Sequence, residues 1–162
     1  MPSFDVVSEL NTQEVRNAIG NTDKEIATRF DFKGSDITVE LNDKAKTITI
    51  TADNELQVDN VFAILEKQLI KRGVDLQTLD PQDKAQSGKH SKQIINLKDG
   101  LDSDNAKKIS KALKESDLKV SASIQGDKVR ISDKKRDNLQ QAMAFLKEKS
   151  FGIPLQFNNF KD

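Results

Sequence analysis

Along the first 73 residues the spacing of apolar positions switches between two and nearly four. Ser3 to Ser8 alternates around Phe4 and Val6 and predicts a strand. Asn11 is placed to cap a helix, with Glu14 three residues on in the capping-box position. Val15, Ile19, Thr22, Ile26 and Phe30 then share one helical face, although Gly20 weakens its middle. "DITVEL" and "KTITIT" alternate strictly around Asn42-Asp43, a hairpin signal. Val58, Val61, Phe62, Leu65 and Leu69 line a second amphipathic helix. It ends in Lys71-Arg72-Gly73, cations facing the helix dipole and then a glycine able to take a left-handed cap.

The second half repeats this order. "QIINL" predicts a strand, Asp102 or Ser103 caps a helix buried through Ala106, Ile109 and Leu113, and "KVSASIQGDKVRIS" predicts a hairpin turning at Gly126-Asp127. A helix through Leu139, Met143 and Leu146 follows, then a strand around "PLQFNNF". Short echoes join the halves: Ile48-x-Ile50-Thr51 returns as Val129-x-Ile131-Ser132, and Gly73-Val74 as Gly152-Ile153. Each half reads β-α-β-β-α-β. The expected fold class is therefore α+β, two ferredoxin-like domains, each an antiparallel four-stranded sheet with two helices on one face. The expected division is 1–80 and 92–162, with the polar stretch "DPQDKAQSGKHS" supplying a linker over 81–91. His90, the only histidine, falls in that linker as a solvated side chain.

Composition narrows the chemistry. With no cysteine there are no disulfides, thiolate ligands or cysteine nucleophiles. No apolar run reaches the length of a membrane span, and the N-terminus lacks a basic-then-apolar signal pattern, so a cytoplasmic location is expected. The net charge of zero conceals a split: residues 1–80 hold 9 Lys/Arg against 15 Asp/Glu, and residues 81–162 hold 17 against 11. Two compatible readings follow. A basic half attracts an anionic ligand, or the halves neutralise each other by docking.

The seven glycines are scattered and form neither GxGxxG nor a P-loop, and HExxH and EF-hand patterns are absent. A single histidine leaves no nucleophile–base set. The expectation is a binding protein, not an enzyme, with no cofactor and no metal. In an antiparallel layer covered by helices on one side, alternate residues face away from the helices. In the first half that set is Asp36, Thr38, Glu40, Thr47, Thr49 and Thr51, acidic to neutral. In the second it is Lys119, Ser121, Ser123, Gln125, Lys128 and Arg130, with Val120, Ala122, Ile124, Val129 and Ile131 inward. The second face is where an anion is expected. Lys134-Lys135-Arg136, at the start of a helix, adds a phosphate clamp tempered by Asp133 and Asp137.

Base-stacking aromatics are missing from both hairpins. Phe4 shares a face with Val6 and belongs to the core. Phe157 and Phe160 differ by three, so a regular strand puts them on opposite faces and leaves one as a platform. In "RFDFKG", Phe30 and Phe32 are expected to plug the core at the helix exit, leaving Arg29 and Lys33 as a small anion site.

"MPSFDVVSE", "RFDFKG", "LKVSASIQGDKVR", "KKRDNLQ" and "LQFNNFKD" resemble the YajQ family of bacterial proteins, and the similarity runs from residue 1 to 162. The resemblance implies tandem ferredoxin-like domains in which each takes its first strand (3–8 and 93–97) from the other half. It also implies a nucleotide ligand without catalysis, with nucleic acid, GTP or cyclic di-GMP as candidates. One departure bears on Lys98: the family commonly reads Lys-Gln-Gly-Ile where this chain has Lys98-Asp99-Gly100-Leu101, and the acid should weaken a phosphate contact there. The leading expectation is a nucleotide- or RNA-binding protein using the basic face of the second half. The alternative is an adaptor or regulator whose acidic N-terminal half docks a protein partner. Neither reading involves a membrane.

Overall fold

Local capping chemistry starts three of the four long helices. In a computed structural model describing residues 1–162, the Asn11 side chain accepts the Glu14 amide at 3.2 Å and opens α1 (Thr12–Thr28). Asn54 and Asp102 do the same for α2 (Glu55–Lys71) and α3 (Ser103–Glu115). No side chain caps α4 (Arg136–Glu148). At the end of α2, Gly73 takes φ +80°. Its amide bonds the Ile70 carbonyl and the Val74 amide bonds Leu69, the paired bonds of a Schellman cap.

Nine strands build two antiparallel sheets: β1 (Ser3–Val7), β2 (Thr38–Asn42), β3 (Thr47–Ala52), β4 (Leu79–Pro81), β5 (Ala85–Ser87), β6 (His90–Leu97), β7 (Ser121–Gln125), β8 (Lys128–Ser132) and β9 (Gln156–Lys161). One sheet runs β2-β3-β6-β4, with β5 also paired to β6; the other runs β7-β8-β1-β9. We call them the β6 sheet and the β1 sheet. The sheet and helix content is that of two ferredoxin-like domains, but each central strand comes from the far part of the chain. β1 lies between β8 and β9, and β6 between β3 and β4. The compact units are therefore 10–98, and 1–9 together with 99–162.

Each unit has its own core. Val15, Ala18 and Ile19 of α1 and Val58, Val61 and Leu65 of α2 pack on Val39, Ile48, Ile50 and Ile95 of the β6 sheet. Ala106, Ile109 and Leu113 of α3 and Leu139, Ala142 and Leu146 of α4 cover Phe4, Val6, Val129 and Ile131 of the β1 sheet. Burying each of these large side chains contributes roughly 1.5–3 kcal/mol.

Several local expectations change. Residues 81–91, expected as a linker, carry β5 and the start of β6, turned at Gly88 (φ +61°), so the β6 sheet has five strands and not four. His90 heads β6, and its Nε2 stands 3.2 Å from an Asp36 carboxylate oxygen. Of the two phenylalanines in "RFDFKG", only Phe32 enters the core. The helix ends at Thr28, residues 30–32 form a 3-10 turn, and Phe30 is turned out, 87% exposed. Ile124, expected inward, is half-exposed because β7 is an edge strand.

Candidate functional site

The hairpin register expected for the second half holds. Ser121 faces Ser132, Ser123 faces Arg130, and Gln125 faces Lys128 on the side of the β1 sheet away from the helices. The exchanged strand then adds a residue that the second half does not contain. Asp5 lies directly opposite Arg130 in the β1–β8 ladder and is only 2% exposed. Arg130 grips it through Nε at 2.9 Å and its terminal nitrogen at 3.3 Å, Asn159 donates from Nδ2 at 2.8 Å, and Lys128 Nζ stands 3.6 Å away. The Arg130 guanidinium, helped by Asn159 and Lys128, holds the Asp5 carboxyl below the usual carboxylate range against burial, which pushes it up. The two strongest candidate cations of the second half thus already share a carboxylate.

The exchange also redraws the charge map. Moving Asp5 and Glu9 into one unit and Asp83, Lys84, Lys89, Lys92 and Lys98 into the other leaves 13 basic against 12 acidic residues in the 1–9/99–162 unit. The 10–98 unit has 13 against 14. The division into an acidic and a basic half belongs to the linear chain and not to the folded units.

The aromatic residues fall differently from a regular strand. Ser3 pairs with Lys161 but Asp5 with Asn158, so β9 carries one extra residue across from β1. Asn159 absorbs it at φ +55°, a left-handed conformation that asparagine tolerates. The extra residue returns Phe160 to the same side as Phe157. Phe157 meets Phe4 edge-on at 5.7 Å, and Phe160 stacks on Phe4 at 6.0 Å with 29° between planes. Both rings are therefore on the helix side. Phe157 is half-buried, with Lys147 Nζ 5.7 Å from its centroid; Phe160, at the sheet's edge, is 61% exposed.

Beside Phe160 a cavity of about 180 Å³ opens between β1, β9 and the start of α4. Leu139, Met143 and Phe4 give it apolar walls, and Gln140, Arg136, Lys161 and Asp162 give it polar ones. Arg136 is paired with Asp162 across the opening, both side chains well exposed. Asp133 accepts the Lys135 amide at 2.9 Å and the Asn138 side chain at 2.8 Å, and these bonds hold its carboxyl low. Arg136 and Phe160, nominated separately, are brought together here; Lys134 lies exposed two residues before Arg136.

The remaining candidates stand elsewhere. Arg29 clips Asp31 with two bonds (3.0 and 2.8 Å) and places its Cζ over the Phe32 ring, 4.9 Å from the centroid, while Lys33 is exposed after the 3-10 turn. Lys98 follows β6, with its amide on the Thr78 carbonyl, and belongs to the 10–98 unit. Lys119 is exposed just before β7. Reading by halves missed Asp5 and Asn159. An acid between Phe4 and Val6 in an alternating strand, and an Asn-Asn pair within a strand, were the available signals; the partner strand was not.

The whole chain also matches known proteins. Residues 2–161 fit the family described as nucleotide-binding protein YajQ-like. The chain belongs to that family. A nucleotide-binding protein of Acinetobacter baumannii strain AYE is 61% identical over all 162 residues of both chains. Relatives so named in Acinetobacter baylyi and Thioalkalivibrio sulfidiphilus are 60% and 47% identical, again over the full length of each. This YajQ-family chain has no helix long and apolar enough to cross a membrane. No group of its histidine and carboxylate side chains is arranged to hold a metal.

Proposed function

We propose that this protein binds a small nucleotide at the cavity between β9 and the start of α4. The base lies against Phe160, and the phosphates meet Arg136, Lys161 and Lys134. The observation that carries this reading is the convergence of an exposed aromatic ring, stacked on Phe4, and an exposed guanidinium on one cavity. Stacking on such a ring is worth roughly 1–3 kcal/mol per base. A phosphate replaces Asp162 on Arg136 at low cost, because that pair is solvated. The near-neutral charge of both units favours a mono- or dinucleotide over RNA, which needs an extended cationic track. Guanine nucleotides, GTP and cyclic di-GMP among them, are the first ligands to try. Binding without catalysis agrees with a family description that names a ligand class and no reaction.

The test is titration of cyclic di-GMP, GTP and a tRNA at two salt concentrations against the wild type, Arg136→Ala, Phe160→Ala and Lys128→Ala. Binding weakened about tenfold in each of the first two variants, kept in the third and only weakly salt-dependent is the expected result. Unchanged binding in Arg136→Ala and Phe160→Ala would remove the site from this cavity. Loss confined to Lys128→Ala would put it on the face away from the helices. A second reading, a protein partner on the 10–98 unit, has one observation in its favour: the fully turned-out Phe30.

A further inference from the structure

The chain contains two candidates for the centre of each sheet, and ordinary β-α-β-β-α-β connectivity would seat β1 beside β3 and β6 beside β8. The repeat Ile48-x-Ile50-Thr51 against Val129-x-Ile131-Ser132 aligns the two seats. In the β1 sheet, Phe4 faces Ile131 and Asp5 faces Arg130; in the β6 sheet, Gln93 faces Ile50 and Ile94 faces Thr49. Asp5 and Ile94 therefore occupy equivalent positions, as do Arg130 and Thr49.

We infer that the cluster in which Arg130, Lys128 and Asn159 hold the buried Asp5 is the selector that directs β1 into its exchanged seat. Seated in the β6 sheet, Asp5 would lie beside Thr49, with Glu40 of β2 one strand beyond and Asp80 of β4 diagonal to it, and no cation on the neighbouring strands. Seated in the β1 sheet, Ile94 would leave Arg130 and Lys128 without their carboxylate and Asn159 without its acceptor. At the β6 seat, half-exposed as Ile94 is, Asp5 would be solvated beside carboxylates. At its own seat it is buried and gains two cations and an amide, and that difference in pairing is how a polar group favours one topology among several. Phe4 adds to the choice on the helix side, where it packs on Phe157 and Phe160. Gln93 there would lose its 2.8 Å bond to the Gln82 carbonyl.

The absence of cysteine makes the seating directly readable. Cα atoms directly opposed in a ladder lie about 4.5–5.5 Å apart, inside disulfide range. Ser3→Cys with Ser132→Cys therefore reports the exchanged seat, and Ser3→Cys with Thr51→Cys reports the ordinary one. Each pair is placed in the wild-type background, in Asp5→Ile/Arg130→Thr (which copies the Ile94–Thr49 pair) and in Asp5→Asn. The full chain is refolded from urea and mildly oxidised. In the wild-type background only the first pair should cross-link. In the double variant the ratio of first to second cross-link should fall roughly tenfold or more, with Asp5→Asn in between. A double variant that still forms only the first cross-link overturns the inference. If that variant does not fold, Asp5→Asn decides: a folded protein with the wild-type ratio overturns it equally.

Discussion

The two sheets share a plan and differ at their centres. In the β1 sheet the central strand presents Asp5 to two cations on one side and Phe4 to two more phenylalanines on the other. In the β6 sheet the corresponding residues are Ile94, 46% exposed beside Thr49, and Gln93, tied to a loop carbonyl. The same topology is thus held in one unit by a buried carboxylate paired with half-exposed cations over an aromatic core, and in the other by aliphatic packing under a hydroxyl-lined face. A central position in a sheet does not dictate its chemistry; the neighbouring strands do.

That contrast can be broken first at the core. Phe4→Ala should cost about 3–5 kcal/mol, since it empties the space that Phe157 and Phe160 close. Gln93→Ala should cost only about 1 kcal/mol, the worth of one partly solvated hydrogen bond. Urea unfolding of both measures the gap; equal losses would erase the distinction between the units.

Asp5→Ala comes next, at about 3 kcal/mol. This is the lower end for breaking a buried pair, because Arg130 and Lys128 keep some access to water. Ile94→Ala at the matching site should stay within about 0.5 kcal/mol, as exposed substitutions do.

The pH dependence has a definite sign. The Asp5 carboxyl is depressed in the folded protein, so as pH falls the unfolded chain takes up its proton first, near pH 4. Its contribution is complete above that value and is lost as pH drops through the lower folded value. The stability gap between wild type and Asp5→Asn should therefore be constant from neutral pH down to about 5 and close below about 4. A gap that widened on acidification would contradict the assigned pairing.

The smallest expected effects concern ligand. Arg136→Ala and Phe160→Ala should each weaken nucleotide binding by about tenfold, the worth of one charge-assisted bond or one stacked base, with little change in stability. No residue lining the cavity belongs to the 10–98 unit, so Lys92→Ala should leave binding unchanged.

Much of the fold was legible residue by residue. Asn11 and Asp102 cap helices through atoms three residues away. Strict alternation in "DITVEL" and "KTITIT" sets a hairpin, and Gly73 ends a helix by its own backbone freedom. The cavity's parts were legible too, since Arg136 and Phe160 were both marked, but their meeting was not. It depends on one extra residue at Asn159, which turns Phe160 to the side that regular alternation denies it. Phe30 misled for a related reason: its helical spacing was sound, but the helix stopped two residues short of it.

By itself, then, the sequence did not determine the end of α1 or the strand within residues 81–91, but it determined most of the helices and strands and that two sheets of one plan would form. These follow from period, caps and turns, which act over a few residues. Period, caps and turns did not decide which strand sits at the centre of each sheet; the family resemblance implied the exchange, and only the tertiary structure gave the pairings and with them where the charges go. Pairing is a contest between distant segments, settled by whether Asp5 meets Arg130 or Thr49. Once β1 and β6 exchange, the latter bringing Lys84, Lys89, Lys92 and Lys98 into the 10–98 unit, the acidic and basic halves of the linear chain become two nearly neutral units.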